Sequence, residues 1–528
     1  MNFPRVAILL IMAGWILHAQ VWTKSFSLQT AANTVSDLAC TENGQLCMAG
    51  YFTDSLVFFD TSLVSHGQTD CFIAFIDSLN RRTRLTTFGR EGSDYIYAID
   101  LQKNGVLTAT GTFQNTLSVG DQEFPAPAYE SFFIATFTPE GRLRNAIVTD
   151  AFCGKAVTSN KTGLVAVAGQ FIDSTIAPSG DTLHGRGEND IFCTLLDASG
   201  IPRWSVGIGG RTNDYVNRLV FSENDHLFLL GTMADTLFFG NDTLPAAGGT
   251  ELLFIAEYDT LGNLLMKRKI ESSTGVYSSG IMCDAQENIY LTGSFKGDIT
   301  IDTVTVEGYD EYDFFLAKLT PSMKVQWIIH ADLAFGNNIV AGPDSTLFVS
   351  GSFRRHSTIG EYYLEAHDIE DIFIGSFATD GDCREVLTAG GCRSSNARRM
   401  AANDHNLFIT GDVNKSGCIH DCTIDFGSVK EVFLVDTLSE GSTYLATIDY
   451  TIDPQAVRRP LPISPHFSSL RSPYYKSFDL KGRQLVKKDQ AAVRGGSASK
   501  KHRIASQVIV TGAPHSTAEN NRKNIDVR

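Results

Sequence analysis

Three side chains in one short segment have the types to hold a metal ion: Cys418, His420 and Cys422. On a strand, alternate positions aim along one face, but zinc takes four ligands and no fourth accompanies them. A Cys418–Cys422 disulfide is the simpler chemistry for that pair. Asp310, Glu311 and Asp313 gather acids in another segment without the spacing of a calcium loop, and solvated charge accounts for them. No Gly-x-Ser-x-Gly nucleophile elbow is present. The sequence thus offers no catalytic residue, no metal site and no cofactor. What remains is binding chemistry in three loops, 90–95, 211–218 and 393–399. There Arg90, Asp94, Tyr95, Arg211, Asp214, Tyr215, Arg218, Arg398 and Arg399 mix charge and aromatic rings as binding rims do. Ordinary loop polarity is the competing account.

The elements that position those loops are set by an internal repeat. A glycine followed by a residue of any type and then a large apolar side chain recurs at Gly50, Gly111, Gly169, Gly231, Gly293, Gly351 and Gly411, with steps of 61, 58, 62, 62, 58 and 60 residues. Six to seven residues upstream of each lies a turn pair such as Asn43-Gly44, Asn104-Gly105 or Asn224-Asp225, suited to the positive φ angles of a tight hairpin. Phe72, Phe133, Phe192, Phe254, Phe315 and Phe373 each follow their glycine by 22 or 23 residues. In the seventh unit the equivalent Tyr444 lies 33 residues after Gly411, because an insertion there carries Cys418 to Cys422. A further turn leads to Trp204 and Trp327, each 12 residues after its Phe. Four short strands in about sixty residues, without helical periodicity, is the sequence form of a propeller blade. The spacing predicts an all-β chain with a seven-bladed β-propeller over 21–453. Trp22 begins a fourth-type strand with no unit before it, and Tyr444 lies on a third-type strand with no fourth after it. The N-terminal strand is therefore expected to close the ring and remove its open edges.

Export is read from the start of the chain, where Arg5 precedes the apolar run from Val6 to Leu17 and then Ala19-Gln20, the pattern of a secretory signal over 1–20. After its removal no run of about 20 apolar residues remains to span a membrane. In an oxidising compartment the ten cysteines are first read as disulfides. Cys40 and Cys47 flank Asn43-Gly44 symmetrically, so a two-residue turn there would set them directly opposite each other; Cys383 and Cys392 flank one loop. Free buried thiols are the alternative. Charge marks a boundary: residues 454–528 hold 15 Lys+Arg against 4 Asp+Glu, and the rest holds 29 against 55. An acidic main body disfavours nucleic acid as a partner.

The stretch Asp284 to Phe295, with its turn and a strand ending in Thr292-Gly293, together with Asp-x-Phe strands such as Asp70-Cys71-Phe72, resembles the SBBP β-propeller repeat family over roughly 22–450. That resemblance implies a fold found in exported proteins and no catalytic motif. Asp197-x-x-Gly200-x-x-x-Trp204 is similar to the tryptophan docking motif of quinoprotein dehydrogenase propellers, but Trp204 and Trp327 alone occupy the position, and Trp fills a blade edge in any case. The Ser-x-Asp-x-Gly-x-x-Trp box of sialidases is missing. Beyond a Pro-rich linker, 454–473, residues 474–528 resemble a type IX secretion C-terminal sorting domain. The resemblance lies in Asp479-Leu480-Lys481-Gly482-Arg483 and in Ile504 to Gly512, where Gln507 replaces the usual Gly. It implies contact with the secretion machinery; a disordered basic tail is the alternative. The whole reads as a non-enzymatic scaffold, secreted or attached at the outer cell surface, for a protein or glycan. A secreted enzyme acting on polysaccharide and a structural adhesion component are the competing classes.

Overall fold

The computed structural model describes residues 21–58, 61–77, 82–246, 249–308, 311–391, 393–414, 422–425, 430–433 and 441–449, with strand pieces at 477–478, 484–485 and 507–509. The signal segment 1–20, the linker 454–473 and nearly all of 474–528 lie outside the described residues, as do Asp310, Cys392, Cys418 and His420. Every regular element among the described residues is a β-strand, so none is a helix able to cross a membrane.

Each repeat unit is an antiparallel meander. In the second unit, for example, Tyr95–Leu101, Leu107–Phe113, Ser131–Phe137 and Leu143–Thr149 pair in that order. The turn pairs act as expected from their composition: Gly44, Gly105 and Gly163 take positive φ, and Asp225 and Glu287 take it in their place in later units.

The register explains the repeat spacing. Every repeat glycine lies opposite an aromatic residue of the third strand: Gly50 opposite Phe72, Gly111 opposite Phe133, and so through Gly351 opposite Phe373 and Gly411 opposite Tyr444. The ring covers the space where a side chain is missing, and all seven aromatics are buried. On its other side each glycine faces a β-bulge in the first strand, between Val35 and Asp37, Ile96 and Ala98, Gly154 and Ala156, Val216 and Arg218, Ser278 and Gly280, Gly336 and Asn338, and Ala397 and Arg399. The bulge tips a carbonyl toward the glycine, so a Cβ on Gly111 would collide with the Tyr95 carbonyl oxygen and one on Gly411 with that of Asn396. Glycine is required here for close approach rather than for a turn.

The first strands lie against one another in sequence. Val21–Cys40 touches Tyr95–Leu101, which touches Cys153–Ser159, and the contacts continue through Tyr215–Phe221, Gly275–Cys283, Ala334–Ala341 and Ser394–Ala402, which touches Val21–Cys40 again. The N-terminal strand also serves two units: Val21 to Leu28 pairs antiparallel with Asp449 to Thr443, while Asn33 to Cys40 pairs with the second strand of the first unit. Apolar side chains from neighbouring units share cores; Val35 and Leu38 pack with Ala401, Phe408 and Leu445. Trp204 and Trp327 each donate an indole N–H to a turn carbonyl of the following unit, Thr260 at 3.1 Å and Thr379 at 3.3 Å, so they tie units together.

Two sequence expectations are revised. The units carry more than four strands, because the 22 residues between glycine and Phe contain a small hairpin, such as Leu237–Phe239 with Asp242–Leu244 or Ile299–Ile301 with Val304–Val306. These two hairpins pair with the fourth strand of the preceding unit, Ile208 opposite Phe239 and Ile270 opposite Ile301. Cys40 and Cys47 are not opposite each other: the turn has three residues between Thr41 and Gln45, Cys40 faces Leu46 and Cys47 faces Ala39. A one-residue slip reverses the face of every side chain, so the two thiols are free and point into different cores. Burial pushes the Cys40 thiol up to about 12. Cys383 is a free, partly buried thiol, and its expected partner Cys392 lies outside the described residues. Cys422 starts a short strand, Cys422–Asp425, while Cys418 lies outside the described residues.

Candidate functional site at the inner strands

The loops expected to form one rim run from the outermost strand of one unit to the innermost strand of the next, and their residues therefore sit at different radii. At the outer end, exposed Arg90 pairs with Glu123 of the hairpin strand Gln122–Pro125, and the Arg211 backbone N–H donates to Asp235 at 3.1 Å. In the middle, Asp94 and Asp214 are fully buried. The Asp94 carboxylate accepts the backbone N–H of Arg90 at 3.0 Å and of Gln114 at 3.3 Å, and Asp214 accepts that of Gly210 at 2.6 Å. These aspartates brace the loop from inside and are closed off from solvent. Burial raises Asp94 to about 7 and Asp214 to about 8, against the lowering effect of those same N–H donors. The Asp-x-Phe aspartates work alike: Asp70 and Asp371 accept the N–H four residues before them, from His66 and His367, each at 2.8 Å.

The inner end of the loops is different. Tyr95, Tyr215, Tyr277 and Phe335 occupy one register position, each opposite the residue after a repeat glycine. They carry the exposed chemistry, Tyr215 at 38% and Tyr277 at 46% exposure. Neighbouring rings extend the set: Tyr51 stands edge-on to Tyr95 at 4.8 Å, Tyr97 stacks on Tyr95 at 6.0 Å, and Tyr312 lies 5.8 Å from Tyr277 and 5.6 Å from Phe335. The Lys155 ammonium sits 3.2 Å from the centre of the Tyr97 ring. A hydrogen bond with Tyr312, with burial second, raises the Tyr277 hydroxyl to about 12. The result is a discontinuous collar of aromatic faces with polar tips.

One step along the first strands, at the bulges, side chains bond from one unit to the next. Asn217 donates to the Ser278 carbonyl at 2.8 Å, Asn337 to that of Ala397 at 2.9 Å, Arg218 to that of Ser279 at 3.3 Å and Arg399 to that of Ser36 at 3.2 Å. Asp37 collects charge from separate units: the Arg218 guanidinium lies 3.4 Å from its carboxylate and the Arg399 Nε 3.6 Å. Burial, then the Arg218 charge, pulls Arg399 down to about 9. Exposed Arg398 is paired with Asp412. Of the nine residues expected at the rim, the fold brings Tyr95, Tyr215, Arg218, Arg398 and Arg399 to the inner strands and leaves Arg90 and Arg211 at the outer ends of their loops. Sequence reasoning missed Asp37, Tyr51, Tyr97, Lys155, Tyr277, Tyr312 and Phe335. The signal available was register, since the residue opposite each glycine-plus-one position is aromatic in four units.

The metal candidates are dispersed. Asp313 is buried and accepts the Leu333 N–H at 3.2 Å, and Glu311 pairs with Arg355 at 3.4 Å. Among the described residues no three His, Cys, Asp or Glu side chains are placed to share a metal ion.

Meanders in tandem, first strands in mutual contact and a final unit joined to the N-terminal strand define a β-propeller repeat protein. No family model matches the chain. A WD repeat-containing protein of Acanthamoeba polyphaga mimivirus, itself uncharacterized, is 23% identical over 214 residues, which are 33% of this chain and 15% of that protein. The chain therefore spans a small part of that relative. Among solved structures, a chain of the mitotic checkpoint complex has a TM-score of 0.41 at 8% identity, covering 84% of this chain and 96% of its own. The Dos1 propeller has 0.39 at 7%, covering 82% and 96%. The C-terminal WD40 domain of Sif2 has 0.32 at 8%, covering 79% and 98%.

Proposed function

We propose that this protein is a non-enzymatic interaction scaffold: a closed ring of seven SBBP-type blades that is exported, held at the outer cell surface and binds a protein or glycan through its aromatic collar. Seven glycine-centred units, the cyclic contacts of their first strands and the pairing of Val21 to Leu28 with the last unit support the ring. The observation that carries the binding role is the exposure of Tyr215 and Tyr277 at one register position, with Tyr312 packed beside Tyr277 and Phe335 beside Tyr312 in tilted contact. Rigid aromatic side chains with polar tips give contact area at little entropic cost, and such residues dominate interface energetics. Capture by the immobilised full chain from a glycan array and from surface-protein extracts tests this, with the Tyr215→Ala/Tyr277→Ala double variant alongside. A ligand retained by the native protein and lost by the variant supports the collar; equal capture by both sinks it.

The address rests on the apolar run from Val6 to Leu17 and on Asp479 to Arg483. Deleting residues 474–528 should strand the protein in the periplasm if that region engages a type IX sorting route. Unchanged surface display of the truncated chain would end that part of the proposal.

A further inference from the structure

We propose that Arg218 and Arg399, which share the Asp37 carboxylate, form a binding site for one further oxyanion group, a sulfate or carboxylate, on their spare N–H bonds where the first strands meet. Three inner strands contribute, and Arg218 reaches Asp37 across 181 residues of sequence. Two cations share one carboxylate, with Asp37 at 8%, Arg218 at 14% and Arg399 at 23% of side-chain exposure, while Asp100, the acid beside Asp37, is bonded to Ser159 and pairs with neither arginine. Two partly buried cations on one carboxylate favour a second anionic partner.

The donors are also in surplus. Each guanidinium carries five N–H bonds in a planar fork. Arg218 uses three of them, on the Ser279 carbonyl and the two Asp37 oxygens, and Arg399 uses two, on the Ser36 and Arg398 carbonyls. Among the described residues the remaining N–H bonds have no protein acceptor. Ser36 Oγ, in the same bulge whose carbonyl binds Arg399, is buried without a hydrogen-bond partner among the described residues and has a hydroxyl to donate. The other charged groups on the inner strands are already engaged: Arg398 with Asp412, Lys155 on the Tyr97 ring, and Asp100 with Ser159. Planar forks match the spacing of carboxylate and sulfate oxygens. The location is selective, because the chain outside 454–528 holds 55 acidic against 29 basic residues and repels anions elsewhere. The residual exposure of both arginines means that a solvent-sized group can touch them.

This site stands apart from the collar reading, and small anions test it whatever the collar binds. Sodium sulfate and sodium acetate are titrated separately into the full chain, with sodium chloride at matched ionic strength as reference, and binding is followed by calorimetry and by the thermal midpoint. Saturable binding of either oxyanion beyond chloride, weakened at least tenfold in Arg218→Gln and Arg399→Gln, is expected. Preference between sulfate and acetate tells which oxyanion geometry the forks accept. Asp37→Asn keeps an acceptor oxygen but removes the competing charge, so it should bind the same anion more tightly. No saturable binding by the native protein overturns the proposal and leaves the cluster as a clasp between units. Weaker binding in a folded Asp37→Asn protein overturns it too, and because the native titration decides by itself, failure of a variant to fold does not rescue the idea.

Discussion

The loops that enter the first strands and the bulges inside those strands contain the same residue types, aspartate, arginine and tyrosine, only a few positions apart, yet they do different work. In the loops, Asp94 and Asp214 are buried and accept backbone N–H groups, two at Asp94 and one at Asp214, so they hold the chain's path. At the bulges, Arg218 and Arg399 keep spare donors and partial exposure. The difference comes from what the backbone can supply. A loop turning inward offers free N–H groups that a short acid can satisfy. A bulged first strand, packed against the first strands of neighbouring units, pushes side chains toward their counterparts in other units.

The sharpest way to break this comparison is to remove the bulge. Gly111→Ala places a Cβ against the Tyr95 carbonyl and under the Phe133 ring's strand, and should cost about 3 kcal/mol or more in denaturant unfolding. A loss near zero would mean that the bulge relaxes freely and does not aim the inner residues. Next in size, Asp94→Ala leaves the Arg90 and Gln114 N–H groups unsatisfied and should cost about 1–3 kcal/mol while ligand and anion binding persist. Lost binding with intact stability would reverse the roles assigned to loop and bulge.

A smaller effect concerns pH. Asp94 and Asp214 have folded values of about 7 and about 8, above the ordinary value of 3.8, so the folded protein binds more protons than the unfolded chain across that window. Stability is therefore full below about pH 4 for these groups and falls as pH rises through 7 to 8, with a slope of up to roughly 1 kcal/mol per pH unit for each. Asp214→Asn should flatten the fall of the thermal midpoint between about pH 4 and 8, the interval between its ordinary and folded values; an unchanged slope argues against the buried acid as its source. The smallest stability change, within about 0.5 kcal/mol, is expected for Tyr215→Ala and Tyr277→Ala, which are surface positions. Reducing agent should likewise leave the thermal midpoint untouched as far as Cys40 and Cys47 are concerned, and thiol titration of the unfolded chain should count both as free.

Much of the fold was legible because it depends on local and periodic constraints. The glycine and its aromatic partner are separated by a fixed length of chain and meet across one ladder, so their spacing survives in the sequence even where the seventh unit stretches it to Tyr444. The hairpins between them were not, since pieces such as Leu237–Phe239 are three residues long and gain their meaning by pairing with the neighbouring unit's strand at Ile208. The Cys40 and Cys47 register turned on a single residue in a turn, a difference composition does not encode. Of the residues in the inner cluster, Arg218 and Arg399 could be named as charged and inward-bound, but Asp37 could not be joined to them.

By itself, then, the amino-acid sequence determined the repeat, the strand chemistry and the glycine positions, because each rests on side-chain size and spacing within about sixty residues; the joining of the N-terminal strand to the last unit followed from the two incomplete units that the repeat left over. Only the tertiary structure decided which of the polar residues are spent as braces and which remain free. That outcome is set by the radius at which each loop places its residues and by contacts such as Arg218 with Asp37, and contacts between distant units leave no trace in local sequence.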